Sequence, residues 1–309
     1  MKIDYLISFL KELQNSRILF FAVCFTFTIS SKSQETSVDS YTNRAALSCQ
    51  EKQYEKAIQL SDSAIISKEV SDPYTWYVRG FIFKEAYKNG ISGAIDYREL
   101  ASQSLLKCKQ LQAGSDAYNP NFVLKYLATT CYNDALITAN QAIDGRQTES
   151  DRYFEQYIFL MSKVDSNYTN ESAAAEYYIT KAQRQYSLWS ENSCEFDLLK
   201  ACEESYQTAL KFEPTNCDCL YNLSIASYNR GLMQKQSDAI KSECHDEMSM
   251  ASCFENSLVW LQKTEQNCPD RQDVCQAFLN ANKALGNQEE VLKYTQKLEA
   301  IKQLKQTGK

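Results

Sequence analysis

The sequence predicts an all-α protein made of paired helices, and three observations support this prediction. Only 8 glycines and 4 prolines occur among the 309 residues, so few positions suit the tight turns of a β protein. Residues that favour helices, mainly Gln, Lys, Glu, Ala and Leu, are abundant along the chain. Apolar residues recur at spacings of three and four, which places them on one face of a helix.

The segment 202–231 contains the end of one predicted helix pair and the beginning of the next. The first apolar stripe has spacings of four and three residues and comprises Cys202, Tyr206 and Ala209. Pro214 follows, where it ends one helix and can begin another. The next stripe comprises Leu220, Leu223 and Ser224. Because Ser224 is small, a neighbouring helix can approach it closely.

This arrangement resembles the tetratricopeptide (TPR) repeat, a helix pair of about 34 residues with small residues where helices cross and a proline near its end. All four prolines fall between predicted helix pairs; they are Pro73, Pro120, Pro214 and Pro269. The resemblance implies a TPR-like, right-handed α-solenoid of irregular antiparallel helix hairpins. The separations between the prolines exceed multiples of the repeat length, which predicts long helices or insertions.

The first two units match the repeat well. The first hairpin is predicted at Val38–Ile66, with repeat residues Ala45, Ala57, Ser61 and Ala64. The second begins at Asp72, and its first helix, PYTWYVRGFIFKEAYK, gives the best match in the chain, with Gly80 as the small residue. The stretch KNGISG (88–93) lengthens the following turn. The second helix of this unit is therefore predicted to bury Ala101, Leu105 and Cys108.

Residues 113–193 match the repeat only weakly, and an irregular middle is expected there. A long helix is predicted from Pro120 to near Gly145, because its apolar stripe persists over some two dozen residues. Two further helices follow polar breaks at residues 147–151 and 166–170. We interpret these helices as degenerate repeats within the array.

The C-terminal part returns to the repeat pattern after a polar insertion, which is predicted at residues 232–250. The helix that follows this insertion is the second helix of its unit, and its repeat residues are Ser257, Leu261 and Thr264. The last unit starts at Gln272, and its repeat residues are Phe278, Leu279, Val291 and Leu298. The polar tail is suited to the solvent-facing end of a solenoid.

Residues 1–33 have the order of a secretory signal peptide. Arg17 precedes thirteen residues without a charge, 18–30, and small residues then fit a cleavage before Gln34. This pattern resembles export signals of bacterial envelope proteins that end just before a Gln. The alternative is a membrane anchor, but this stretch is shorter than the roughly 20 residues that span a bilayer. We expect an exported protein, periplasmic or associated with the outer envelope, with 34–309 as a single TPR-like domain and no membrane span.

The TPR resemblance also implies a concave groove, lined by the second, fifth, ninth and twelfth residues of each first helix. In the second unit these positions hold Tyr74, Tyr77, Phe81 and Lys84. In the unit that follows Pro214 they hold Asp218, Tyr221, Ile225 and Tyr228, and Asn229 comes next. Tyrosine supplies a large contact area with a polar tip, so this groove suits an extended peptide or a partner helix. The alternative is that these aromatic residues pack against neighbouring helices.

Cysteine is unusually frequent, with twelve in the chain and eleven after the predicted cleavage point. In an oxidising compartment this number predicts disulfides. Cys244 and Cys253 flank a predicted turn and are a possible pair. Three others are expected to replace Ala as small buried residues: Cys108, Cys131 and Cys202.

Two short stretches carry metal-ligating residue types. They are the run Cys244, His245, Asp246 and Glu247, and the C-x-C of Cys217 and Cys219. The chain has one histidine and no C-x-x-C pair, so neither a zinc finger nor a three-histidine site can be assembled. The sequence therefore predicts no metal and no cofactor.

The remaining patterns favour a binding protein over an enzyme. No nucleotide-binding, hydrolase or metalloprotease motif is present. The net charge is −6 and no basic cluster stands out, so nucleic acid is not the expected partner. We expect a non-enzymatic scaffold that binds a protein or peptide in its concave groove. The alternative is a glycan-binding envelope protein similar to the SusD-like proteins, which build a carbohydrate site on a TPR scaffold.

Overall fold

The computed structural model describes residues 40–91, 94–112, 117–142, 148–191, 195–240, 246–269, 271 and 273–306. The predicted signal peptide lies outside this set. The described residues contain twelve α-helices, one short 3-10 helix at Lys68–Ser71 and no strand. All of these helices belong to one compact unit, Tyr41–Lys309.

Consecutive helices form six hairpins, and each hairpin packs against the next. The helices are α1 (Tyr41–Gln50), α2 (Tyr54–Ile65), α3 (Pro73–Lys88), α4 (Ala94–Leu111), α5 (Pro120–Gln141), α6 (Thr148–Val164), α7 (Glu171–Glu191), α8 (Phe196–Phe212), α9 (Cys217–Ile240), α10 (Met250–Asn267), α11 (Asp273–Leu285) and α12 (Gln288–Gln306). Each odd-numbered helix packs on the even-numbered helix that follows it, and α2, α4, α8 and α10 also contact the first helix of the next hairpin. The predicted all-α solenoid is confirmed.

Local sequence explains where several helices begin. Pro73 is the first residue of α3, and the Asp72 carboxylate accepts a hydrogen bond from the Tyr74 N–H at 2.9 Å. At α5, Pro120 and the cap Asn119 repeat this arrangement. Proline is favourable at a helix start because its missing N–H has no intrahelical partner there, and a capping side chain satisfies another of the free N–H groups.

The small repeat residues lie where helices cross. Four occupy first helices and are buried: Ala45, Gly80, Ala128 and Ser224. Their counterparts on second helices, Ala57, Cys202 and Ser257, are also buried. At Gly80 the approach is closest, because an added Cβ would lie 2.6 Å from Leu105 Cγ and 3.2 Å from the Ala101 carbonyl oxygen. Small side chains at these positions let helix backbones come together.

The middle of the chain differs from the repeat pattern in its side chains and not in its hairpin construction. Its core combines alanines with aromatic residues, and Phe154 stacks on Tyr177 with ring centroids 4.2 Å apart. The aromatic residues are not part of the repeat pattern, and they accompany the weak match. The boundaries also differ: α6 begins at Thr148, inside the predicted polar break. Glu149 and Asp151 favour this start because they lie in the first turn, near the positive end of the helix dipole.

The predicted insertion at 232–250 is partly helical. α9 continues to Ile240, and Ser237 is buried in spite of its polar neighbours. At Gly231, an added Cβ would lie 2.8 Å from the Phe254 ring of α10. The long helix is therefore held by packing against α10, which the polar composition of the segment does not reveal.

We predict that Gly80→Ala destabilises the protein, although alanine favours a helix by about 1 kcal/mol over glycine. The added methyl group would collide with Leu105, and overpacking of this kind costs about 1–3 kcal/mol. In a Leu105→Ala background the collision with the side chain is removed and only the contact with the Ala101 carbonyl oxygen remains, so Gly80→Ala should destabilise much less. Urea denaturation of the four proteins measures both changes, and an equal loss of stability in the two backgrounds would contradict the packing explanation.

Candidate functional site

The first helices of the hairpins carry all the predicted groove residues. We call α1, α3, α5, α7, α9 and α11 the front helices. They contact one another along the array, as α1 does with α3, α5 with α7, and α9 with α11. The predicted residues form two separate groups, one on α3 and one on α9.

Three of the predicted α9 residues converge on a recess between α9, α10 and α11. The cavity has a volume of about 160 Å³ and is lined by Ile225, Tyr228, Asn229, Ser257, Ala277 and Asn280. We call these six residues the α9–α11 recess. They come from three helices of two adjacent hairpins. The recess therefore exists only when the two hairpins are packed together.

The walls of the recess combine apolar surface with hydroxyl and amide groups. The Tyr228 ring lies 5.4 Å from the Phe254 ring, and burial raises the pKa of its phenol, which stays neutral at physiological pH. The side-chain amide of Asn229 donates a hydrogen bond to the Tyr186 hydroxyl of α7 at 2.5 Å. Asn280 is exposed and accepts a hydrogen bond from the Gln276 amide at 3.0 Å. No lining residue carries a formal charge, so the recess suits apolar side chains and the main chain of a polypeptide.

The other two α9 residues are used within the protein. Arg271 donates to the Asp218 carboxylate at 2.8 Å and to the Cys217 carbonyl at 3.0 Å, and its guanidinium lies 4.1 Å from the Tyr221 ring. It also pairs with Asp273 at 3.0 Å. Tyr221 packs against the C-terminal core and is only partly exposed. Asp218 and Tyr221 thus fasten α9 to the segment before α11 and do not line the recess.

A disulfide closes the same end of α9. Cys217, at the start of this helix, is bonded to Cys268, which follows α10, with Cα atoms 6.0 Å apart. Cys217 is therefore not a free thiolate for a metal. Cys219 is buried, and its thiol contacts the Tyr206 carbonyl oxygen at 3.3 Å. Cys253 is a buried free cysteine, and Cys244 lies outside the described residues, as does His245.

The expected buried cysteines are confirmed. Cys108, Cys131 and Cys202 are free and fully buried. Burial raises the pKa of the Cys108 and Cys131 thiols to about 11, which keeps both protonated and unreactive at neutral pH. Their role is that of small apolar residues in the packing between helices.

We predict that Cys217→Ser lowers the free energy of unfolding by about 4 kcal/mol, from the loop entropy that a cross-link over 51 residues removes from the unfolded chain. Cys268→Ser and the double variant should be equally unstable, because each loses the same bond. Denaturation of the three variants under oxidising conditions measures this. Additive losses in the double variant would show that the two cysteines act independently.

A buried ion cluster anchors α9 directly behind the recess. Arg230, next to Asn229, donates to the Glu203 carboxylate of α8 at 2.8 Å and to Asp246 through two nitrogens, one of them at 2.6 Å. Ser227 donates to the second Glu203 oxygen at 2.7 Å. All three charged side chains are almost fully buried. Burial by itself would raise the pKa of Asp246. The hydrogen bonds and charge of Arg230, together with the backbone N–H groups of Met248 and Glu247, outweigh burial and hold that pKa below its ordinary value.

We predict that Arg230→Met destabilises the protein by about 3–5 kcal/mol at neutral pH, because it leaves buried carboxylates without their partner. Arg44→Met, at an exposed arginine of α1, is the matched control and should change stability by less than about 0.5 kcal/mol. Urea denaturation measures both changes.

The wild type and Arg230→Met also provide a test of pH dependence. Because the pKa of Asp246 is lowered on folding, its stabilising contribution is present above its unfolded pKa of about 3.9 and is lost as the pH falls through the folded pKa. In Arg230→Met the carboxylates are buried without a cation, so acid relieves them. The stability difference between the wild type and this variant should therefore narrow as the pH falls, first above about pH 4 as the variant's unpaired carboxylates take up protons, and then further as the wild type loses the contribution of Asp246. A difference independent of pH would contradict the role of the ion cluster.

The second predicted group, on α3, is partly covered by a residue from the next hairpin. Tyr118, just before α5, places its ring 5.3 Å from Tyr74 and 5.5 Å from Tyr77. Both α3 tyrosines also pack against the core, and burial raises the pKa of each. The alternative interpretation, packing against neighbouring helices, thus describes these two residues.

Phe81 and Lys84 lie farther along α3. The Lys84 ammonium is 4.3 Å from the Phe81 ring and 5.5 Å from the Tyr126 ring of α5, and it pairs with Glu85. The Lys84 side chain is largely buried by these contacts, whereas the Phe81 ring is exposed. The second group is therefore an aromatic surface with one cation.

Several residues at these sites were not predicted, although one signal was available. With Phe278 and Leu279 at the seventh and eighth repeat positions, Asn280 occupies the groove-facing ninth position. The repeat phase of α5, set by buried Leu127 and Ala128, places Phe122 at the groove-facing second position in the same way. Tyr118 and Arg271 lie outside the front helices, and no repeat position identifies them.

Comparisons with known proteins identify no family. No protein-family model matches this chain, and no curated protein sequence matches it either. Two solved structures of monomeric IFIT1 mutants, one with Gppp-AAAA and one with m7Gppp-AAAA, share 10% identity with it at a TM-score of 0.33. Each alignment covers 84% of this chain and 49% of the other, so the chain spans about half the length of those structures.

Among the described residues, no helix is long and apolar enough to cross a membrane. The same residues contain no group of three His, Cys, Asp or Glu side chains placed to hold a metal ion.

Proposed function

We propose that this protein is a non-enzymatic scaffold whose front helices bind a peptide or a segment of a partner protein. The α9–α11 recess is the observation that carries the proposal. It joins Ile225, Tyr228 and Asn229, which the repeat resemblance implied, with Asn280 of the next front helix. Hydroxyl and amide groups around an apolar floor can satisfy the main chain of an extended peptide while side chains enter the recess.

The exposure of aromatic residues favours a peptide over a glycan. An aromatic platform for a sugar would present open tryptophan or tyrosine faces on one surface. All three tryptophans are instead half-buried or buried, at positions 76, 189 and 260. In addition, the Tyr74 and Tyr77 rings are partly covered by Tyr118. The mixture of tyrosine and amide groups in the recess supports the peptide proposal.

We further propose that the protein is exported and works in the periplasm or at the outer envelope. The signal-like pattern of residues 1–33 supports export. The Cys217–Cys268 disulfide supports an oxidising compartment, because such bonds are rare where thiols are kept reduced. Affinity capture from envelope extracts with the full chain, followed by mass spectrometry, identifies the partner.

We predict that Asn280→Arg weakens binding of the captured partner by about tenfold or more, because a long charged side chain would obstruct the recess. Asn280 is exposed, so the melting temperature should not change. Gln296→Arg is the matched control, since it makes a similar replacement at an exposed position of the second helix α12. Isothermal titration calorimetry measures both affinities. Equal binding by wild type and Asn280→Arg would overturn the assignment of the recess.

A further inference from the structure

The face shared by α3 and α5 contains an aromatic series with one position uncovered. Tyr118 lies against Tyr74 and Tyr77, and Tyr126 lies beside Lys84. Phe122 comes four residues after Tyr118 and one turn before Tyr126 on α5. In sequence, Phe122 therefore lies between Tyr118 and Tyr126, the two residues that contact α3.

The exposure of these rings is uneven. Phe122 is 65% exposed, compared with 38% for Phe81 and 37% for Tyr126. These three are exposed apolar side chains on two neighbouring front helices, and Lys84 lies between two of them. Scattered apolar residues on a protein surface are ordinary. A cluster of aromatic rings around a cation, in contrast, favours contact with aromatic groups.

One residue of the chain, Tyr118, already packs on the face shared by α3 and α5. Tyr118 belongs to the connection between hairpins, yet its ring stacks on two groove positions of α3, at angles of 30° and 24° to Tyr74 and Tyr77. The Gln112 side chain donates a hydrogen bond to the Tyr118 carbonyl at 3.0 Å and holds this residue in place. An aromatic side chain from the connection between hairpins thus already occupies one end of the face.

We propose that the α3–α5 face binds an aromatic side chain of the partner polypeptide, which packs on Phe122 between Tyr118 and Tyr126. This inference rests on the proposed function and names the residue class that the partner supplies. An aromatic ring fits better than an aliphatic side chain because the faces and edges of aromatic rings attract one another. Neighbouring front helices would bind the rest of the same segment through its main chain.

Selection from a display library of random linear peptides tests the proposal with the full chain as bait. Peptides selected by the wild type should be enriched in Trp, Tyr and Phe. Phe122→Ala should lose this enrichment and bind a selected aromatic peptide about tenfold more weakly, with an unchanged melting temperature because the ring is mostly exposed. Phe122→Leu, which keeps apolar bulk without a ring, should bind more weakly than wild type and more tightly than Phe122→Ala.

Phe159→Ala is the matched control, because Phe159 is an exposed phenylalanine on the second helix α6 with a lysine, Lys163, 5.2 Å from its ring. It should bind the selected peptides as the wild type does. Peptides that depend on Asn280 but show no aromatic enrichment would overturn this inference and leave the proposed function intact. If the wild type selects no peptide, both proposals are overturned, and equal losses in Phe122→Ala and Phe159→Ala would overturn the role of the α3–α5 face.

Discussion

Each hairpin of this protein leaves an apolar side that the next hairpin covers, and the two helices within a hairpin cross closely. At the crossing of α3 and α4, which form one hairpin, Gly80 lets the backbone approach Leu105 and Ala101. Ala45, Ala128 and Ser224 are likewise small and buried in other front helices. Because a two-helix unit cannot bury its own surface, the stability of the array depends on contacts between neighbours.

The same constraint produces the surfaces for which binding is proposed. Side-by-side packing of hairpins brings front helices together, and residues far apart in sequence then share a face. Asn229 and Asn280 meet at one recess because α9 and α11 belong to adjacent hairpins. The supports behind this recess are covalent and ionic: the Cys217–Cys268 bond closes one end of α9, and the buried Arg230 cluster holds its middle. A wall held in this way would reduce the ordering cost of the proposed binding of an extended segment.

The two ends of the front-helix series have different chemistry. The α9–α11 recess is lined by neutral hydroxyl, amide and aliphatic groups. The α3–α5 face presents phenylalanine and tyrosine rings around Lys84. A partner segment that contacts both would need main-chain polar groups for one and an aromatic side chain for the other. This division provides specificity without a large net charge at either surface.

The sequence by itself determined the fold class, the phase of the repeat and the helices that come first in each hairpin. These properties follow from the spacing of apolar and small residues within about 34 residues, where helix geometry is regular. The same local phase placed Ile225, Tyr228 and Asn229 near one another on α9. Only the tertiary structure decided that Tyr74 and Tyr77 are partly covered by Tyr118, that Cys217 pairs with Cys268, and that Asn280 completes the recess. Such contacts join residues of different segments, and their geometry depends on connection lengths and packing angles that no local spacing encodes.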